Sequence, residues 1–130
     1  NDDGNLIDAS TIAALAALTE ATVPEIDSNG KIDYDKKTKT KLPLSKEILP
    51  LSFSFFKLGD SLILDPTREE EEACDTRITF GMSKLGSQHI SNSCQKAGPS
   101  TLTSEDIEKI MTVLPKKFDE VSKNLKIKSS

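Results

Sequence analysis

Histidine and cysteine are scarce in this chain of 130 residues: His89 is the single histidine, and Cys74 and Cys94 are the two cysteines. None of them stands at a metal-ligand spacing, so no zinc site and no cofactor are expected. Two cysteines in a chain without a secretory signal point to free thiols in a reducing compartment, which places the protein inside the cell. No apolar run approaches the roughly 20 residues that a membrane-spanning helix needs, so no membrane partner is expected. The opening residues, NDDG, are polar and acidic and do not read as a signal or transit peptide. There is no initiator Met, and the chain starts abruptly on a loop. It is therefore expected to be a fragment, with residues missing upstream. Positive charge is not in excess either: the formal net charge is −4. That disfavours a free-standing nucleic-acid binder, but not a protein that touches RNA inside a larger assembly.

What is present is an ordinary globular composition, 29% charged and 35% hydrophobic, enough for one modest core. An Ala/Leu-rich helix is predicted over residues 8–22, capped by Asp8 or Ser10 and stopped before Pro24. Residues 26–41 read as a polar connector with a Ser28-Asn29-Gly30 turn, in which a short exposed hairpin is possible. Leu49, Leu51, Phe53 and Phe55 alternate onto one face of a strand over residues 48–58; Phe56 points the other way, under a helix or at an interface. Further strands are predicted at residues 61–64, 76–82 and 90–95, with one helical turn at 68–73. The strands together suggest a mainly antiparallel meander. The last helix opens at Thr103 and Asp106, a capping box with Asp in place of Glu. Ile107, Ile110, Met111, Leu114, Phe118, Val121 and Leu125 define its apolar face, and Pro115 predicts a kink or break near Val113-Leu114. Residues 126–130 read as a frayed tail.

Four motifs occur in order: DDGNLIDAS at residues 2–10, LPLSFSFF at 49–56, LILDPTREEE at 62–71 and CQKAGP at 94–99. Together they resemble the RNase PH family, specifically the ring subunits of the RNA exosome. Within it, residues 44–56 look most like the eukaryotic subunits of the polymyositis/scleroderma autoantigen type. The resemblance implies an α+β fold: the C-terminal half of an RNase PH-type domain, a four-stranded mainly antiparallel sheet packed by an N-terminal Ala-rich helix and a C-terminal amphipathic helix. Residues 1–41 would close the first sub-domain and supply the connector, and residues 42–130 would form the second sub-domain. The implied partners are other RNase PH-type ring subunits and cap subunits, with RNA inside the assembly. The implied location is the nucleus and nucleolus, and also the cytoplasm.

Active members of the family cleave the terminal RNA nucleotide with phosphate, and the acidic segment supplies two aspartates six residues apart. One such carboxylate can protonate the leaving oxygen or hold a cation against developing charge. On this chain the two positions fall at Glu71 and Arg77. Arg77 inverts the charge where an acid is needed, so the resemblance implies a catalytically inactive subunit that scaffolds RNA decay and ribosomal RNA processing. Two rival readings stand beside it: an active phosphate-dependent exoribonuclease, with Glu71 or Asp75 as the acid, and an unrelated small α/β interaction module.

The remaining site residues are weighed individually. Glu69, Glu70, Glu71 and Glu72 could form a catalytic or metal cluster, but a run of acids is more often a solvated turn. Asp65, Arg68 and Asp75 are expected to fix that turn, Asp65 by bonding nearby backbone N–H groups and Arg68 by pairing with an acid. Lys96, Lys36 and Lys37 are candidate RNA contacts, though loop and connector lysines are usually plain surface. His89 is assigned no role. Cys74 sits beside the glutamates, where negative charge disfavours a nucleophilic thiolate.

Overall fold

A computed structural model describes residues 2–45 and 48–125, so the tail at residues 126–130 lies outside the described residues. Helix α1 runs from Leu6 to Glu20. It begins two residues earlier than expected, and neither Asp8 nor Ser10 caps it. The N-cap is Asn5, in the left-handed region at φ 50°, and its side chain makes no cap bond. Asp8 instead lies within the first turn and is buried. The helix ends where Ala21 turns extended and leads into Thr22-Val23-Pro24, residues that favour strand over helix.

The connector is more ordered than its polarity suggests. Strand β1 (Thr22–Ile26) pairs antiparallel with β2 (Ile32–Lys41) in a two-stranded sheet of its own. Its turn is organised by Asp27, whose carboxylate accepts from the N–H groups of Asn29 at 2.9 Å and Lys31 at 2.8 Å.

The main sheet holds β3 (Leu51–Leu58), β4 (Ser61–Leu64), β5 (Thr76–Leu85) and β6 (Gln88–Ala97). Every neighbouring pair is antiparallel, but the strand order is β4-β3-β5-β6, not that of a meander. After β4 the chain crosses back over the end of β3 through the short helix α2 (Arg68–Ala73). That crossover is well anchored, because Thr67 and Glu70 form a reciprocal capping box. Strands β5 and β6 are longer than predicted and run to the tight turn at Gly86.

One face of the sheet is apolar. Leu51, Phe53 and Phe55 of β3 and Ile78, Phe80 and Met82 of β5 pack against Ile110, Leu114 and Phe118 of α3 (Ser104–Leu125), with Leu15 of α1 joining the same cluster. The rings of Phe53 and Phe118 lie 6.2 Å apart in a tilted contact. Met111, expected on this apolar face, is instead 46% exposed. The expected break is also missing: α3 is continuous across Pro115. Proline removes the N–H that would bond the Met111 carbonyl, but Leu114 and Phe118 are buried on either side and hold both halves to the sheet. Thr103 and Asp106 do form the capping box at the start of α3, with bonds of 2.9 and 3.1 Å.

The other sheet face carries Ser52, Ser54 and Phe56, in register with Gly81, Thr79 and Arg77. Helix α1 lies along the open edge of β3, where Asp8 reaches Ser54 and Thr11 reaches Ser52 from this face while Leu15 joins the cluster on the other. Phe56 is buried, apart from the main cluster.

Candidate functional site

Three of the four motifs meet where the start of α1 touches the turn after β4. Gly4, at φ 99°, lies against Pro66 and Thr67 so closely that an added Cβ would fall 2.5 Å from the Pro66 carbonyl oxygen. Only glycine allows that approach. Asn5 then makes two bonds to the acidic segment. Its backbone N–H donates to Glu71 Oε2 at 2.9 Å, and its Nδ2 donates to Asp65 Oδ1 at 2.9 Å. One turn on, Asp8 Oδ2 accepts from the Ser54 N–H at 2.7 Å and Oδ1 from the Ser54 Oγ at 2.8 Å. Ser54 Oγ in turn lies 2.9 Å from Thr79 Oγ1. Burial drives the Asp8 carboxyl above its ordinary value; the bonds from Ser54 and Asn5 oppose this, and the negative charge of Asp65 adds to it.

The fourth motif closes the far side. Gly98, at φ 94°, packs on the backbone of Asp75 and Thr76, where an added Cβ would fall 2.1 Å from the Asp75 oxygen. Thr76 Oγ1 donates to the Ser100 carbonyl at 2.9 Å. The loop after β6 is thus tied to the strand that carries Arg77.

The predicted site residues divide in this frame. Glu71 is half-buried and spends a carboxylate oxygen on the N-terminus of α1, an arrangement that suits the unpaired N–H groups there. Arg77 points from the sheet face opposite α3, and its Nε is shielded from solvent with no hydrogen-bond partner among the described residues. Asp65, itself at φ 61°, bonds the Asn5 side chain rather than the backbone N–H groups expected for it. Arg68 pairs with Glu72 at 3.1 Å on an exposed helix face, which raises the arginine further above its already high value. The Asp75 N–H donates to the Lys57 carbonyl at 3.3 Å, and its side chain is exposed. The thiol of Cys74 is pushed up by burial and by Glu70, Asp75 and Glu71, so a thiolate is disfavoured.

The candidate RNA-contacting lysines are scattered. Lys96 Nζ donates to the Gly98 carbonyl at 2.7 Å, and Lys36 pairs with Asp33 at 3.4 Å on the separate β1–β2 hairpin. Lys37 pairs with Pro24 through the backbone of that hairpin. Lys96 thus lies on the main sheet and Lys36 on the two-stranded one. Among the described residues, no group of His, Cys, Asp and Glu is arranged to hold a metal ion, and no helix is long and apolar enough to cross a membrane.

Some polar relationships had no counterpart in the sequence reading. Lys57 in β3 and Asp106 in α3 form an ion pair of 2.6 Å, with side chains 14% and 6% exposed. The bond from Lys57, with the Thr103 N–H, lowers the Asp106 carboxyl to about 2. His89 Nε2 and Lys84 Nζ both meet Asp119 Oδ1, at 3.0 and 2.6 Å, and the His89 ring stands edge-on to Phe118. His89 therefore helps hold α3 against the β5–β6 pair. The Asp8–Ser54 contact did leave a signal: Ser52 and Ser54 alternate with the apolar residues of β3 and so share its opposite face, where polar partners must come from another element.

A sheet of this order, with a polar face latched to an Ala/Leu helix and an apolar face under a long amphipathic helix, defines an RNase PH-type C-terminal domain. Residues 49–113 match the 3′ exoribonuclease family, domain 2 (RNase PH, C-terminal), and the chain belongs to that family. It is 42% identical over 126 residues to the exosome complex component Rrp42 of Thermoplasma acidophilum, covering 97% of this chain and 42% of that protein. Its identity to the Rrp42 component of Pyrococcus furiosus is 37% over 121 residues, covering 93% of this chain and 43% of the relative. The chain thus spans about two-fifths of the length of these curated relatives. Among solved structures, it superimposes with a TM-score of 0.77 and 29% identity on a chain of the Archaeoglobus fulgidus exosome with RNA bound to the active site, covering 97% of this chain and 45% of that one. An archaeal exosome core gives a TM-score of 0.68 at 30% identity, covering 92% and 47%.

Proposed function

We propose that this chain is part of a non-catalytic RNase PH-type ring subunit of an exosome, related to Rrp42, that scaffolds the complex and the RNA path in 3′–5′ RNA degradation. Its partners in this reading are other ring subunits and cap subunits, with RNA held by the assembly. The division into residues 1–41 and 42–130 belongs to the same proposal. The location in the nucleus and nucleolus, and also in the cytoplasm, belongs to the same proposal.

The observation that carries inactivity is the state of the acidic segment. Of the two positions where active members place aspartates, Glu71 already serves the Asn5 N–H and Arg77 has the opposite charge. A cation site needs converging negative charge, and a glutamate that holds the Asn5 N–H beside an arginine does not supply it.

The test has two arms. Affinity purification of the full-length protein from its own cells should recover other ring and cap subunits in near-equal amounts; recovery alone or as a homo-oligomer defeats the scaffold reading. Phosphate-dependent release of nucleoside diphosphates should then follow the partner subunit only, so that inactivating the partner abolishes it. Activity that survives loss of the partner's site would restore the enzyme reading.

A further inference from the structure

At the tip of the β1–β2 hairpin, Asn29 is followed by Gly30. Residues 27–31 of this turn are all exposed. Backbone groups and the Asp27 carboxylate hold it together. The Asp27 N–H donates to the Lys31 carbonyl at 2.9 Å and the Gly30 N–H to the Asp27 carbonyl at 3.0 Å, while the Asp27 carboxylate accepts from the Asn29 and Lys31 N–H groups. The bond at Asn29 is made by its backbone N–H, so its exposed side-chain amide carries none among the described residues. Gly30 stands at φ 80°, and a Cβ added there would meet nothing within 4 Å.

A backbone nitrogen that follows asparagine can attack the side-chain carbonyl carbon, because the two close a small ring of low strain. A side chain on the attacking residue crowds that approach, and glycine has none. At Gly30 no other group among the described residues obstructs it either. The Gly30 N–H must first leave the Asp27 carbonyl. That bond lies in an exposed turn of a sheet with only two strands, and such bonds open at low free energy. Asn5, Asn92 and Asn124 lack this combination. Asn5 is buried and precedes Leu6. Asn92 precedes Ser93, and its amide is held by the Ser83 hydroxyl at 2.9 and 3.3 Å. Asn124 lies within α3 before Leu125.

We propose that Asn29 is a site of spontaneous modification by water. The Gly30 nitrogen loses its proton and bonds Asn29 Cγ; the Cγ–Nδ2 bond breaks, and the amide nitrogen takes up a proton and leaves as ammonia. Water then opens the resulting cyclic imide. Addition at Cγ restores the main chain with an aspartate side chain. Addition at the backbone carbonyl carbon leaves the main chain running through Cβ and Cγ, one carbon longer. Either product sets a new carboxylate near that of Asp27, and the longer chain no longer fits the turn that Asp27 and Lys31 close. The hairpin is thereby loosened, since two strands alone are marginally stable. The reaction needs no partner but water, so it stands apart from the exosome assignment.

The experiment incubates the full-length protein in warm, mildly alkaline buffer and maps its peptides by mass spectrometry over time. Asn29 is expected to convert faster than Asn92 by about tenfold or more, to a mixture of the two products, and faster still as pH rises. Amide hydrogen exchange across β2 should quicken in step with conversion. Asn29→Gln lengthens the side chain beyond the favoured ring size and should abolish both changes. Conversion at Asn29 no faster than at Asn92 overturns the proposal, whether the Gly30 bond protects the turn or the rest of the protein covers it. Conversion that leaves exchange in β2 unchanged overturns the loosening.

Discussion

The carboxylate of Asp8 takes the Ser54 N–H at the point where β4 no longer covers β3. The register of β4 ends with Leu64 opposite Phe55, one residue short of Ser54. Strand β3 there has an open edge, and an uncovered, buried N–H would be destabilising. Asp8 closes it from α1 with bonds of 2.7 and 2.8 Å to the Ser54 N–H and Oγ. Three residues along the same helix face, Thr11 Oγ1 meets Ser52 Oγ at 2.7 Å. The helix is thus latched to the sheet by polar pairs whose spacing matches: one helical turn against two strand residues.

Removing half of the Asp8 latch should be measurable. Ser54→Ala keeps the N–H but strips one donor from a buried carboxylate, which should destabilise the protein by about 1–3 kcal/mol. Thr11→Val breaks a less buried hydroxyl pair and should cost about 0.5–1.5 kcal/mol. Urea unfolding of the full-length variants gives both values. If Ser54→Ala proves no more harmful than Thr11→Val, the latch is not the main tie between α1 and the sheet.

Much of this was legible in the residues, and the reasons for the rest are physical. The strands, α2 and the capping box at Thr103 carry local signals, because turn chemistry and alternation act over a few residues. Asp8 misled: next to Ser10 it resembles a cap, and only the third dimension shows it buried against β3. The helix begins at Leu6 because Asn5 is anchored by Glu71 and Asp65, contacts 66 and 60 residues distant that no local rule contains. Strand order was hidden for the same reason: whether β4 or β3 neighbours β5 depends on where the α2 crossover lands. The continuity of α3 through Pro115 reflects burial on both sides overriding a local penalty. At the site, the positions Glu71 and Arg77 were visible by family resemblance, but the occupation of Glu71 by the Asn5 N–H was not.

Two carboxylates should leave opposite marks on stability against pH. Asp106 is lowered from 3.8 to about 2 by Lys57 and the Thr103 N–H. Its folded form holds the proton less tightly than the unfolded chain, so its contribution is complete above 3.8 and is lost as pH falls toward about 2. Asp8 is raised by burial, so the folded state holds its proton more tightly. Its contribution is greatest below the unfolded value and declines as pH rises through the folded one. Urea midpoints across an acid series should therefore show Asp106→Asn flattening the most acidic limb, and Asp8→Asn flattening a slope of opposite sign at higher pH. A wild-type acid limb left unchanged by Asp106→Asn would remove Lys57–Asp106 as its source.

Gly98 and Gly86 make a controlled comparison. Both have positive φ, 94° and 58°, but an added Cβ meets nothing within 4 Å at Gly86 and would fall 2.1 Å from the Asp75 oxygen at Gly98. Gly86→Ala should therefore show only the backbone penalty, about 1–2 kcal/mol. Gly98→Ala adds a clash with backbone that cannot swing aside, so its loss should exceed that of Gly86→Ala by at least the roughly 1–3 kcal/mol typical of overpacking. Thermal melts of the two variants decide it, and equal losses would mean that the loop after β6 yields freely from Thr76.

Glu71 separates structure from catalysis in one substitution. Glu71→Gln keeps the shape of the side chain and an oxygen for the Asn5 N–H, but removes the charge from a bond now 2.9 Å long. As a structural anchor for α1 it should lose about 1 kcal/mol of stability, since charge-assisted bonds exceed neutral ones by that order. As a general acid it would lose about 10²–10⁴-fold in phosphorolysis. The expected result, in the full-length protein assembled with its ring neighbour, is a lower urea midpoint with the rate of nucleoside diphosphate release unchanged. The companion variant Arg77→Asp restores the sign of charge that active members carry, yet leaves Glu71 committed to α1, so it too should leave the rate unchanged. A drop in rate with Glu71→Gln, or a gain with Arg77→Asp, would mean that the acidic segment still reaches the scissile phosphate and that the helix anchor is secondary.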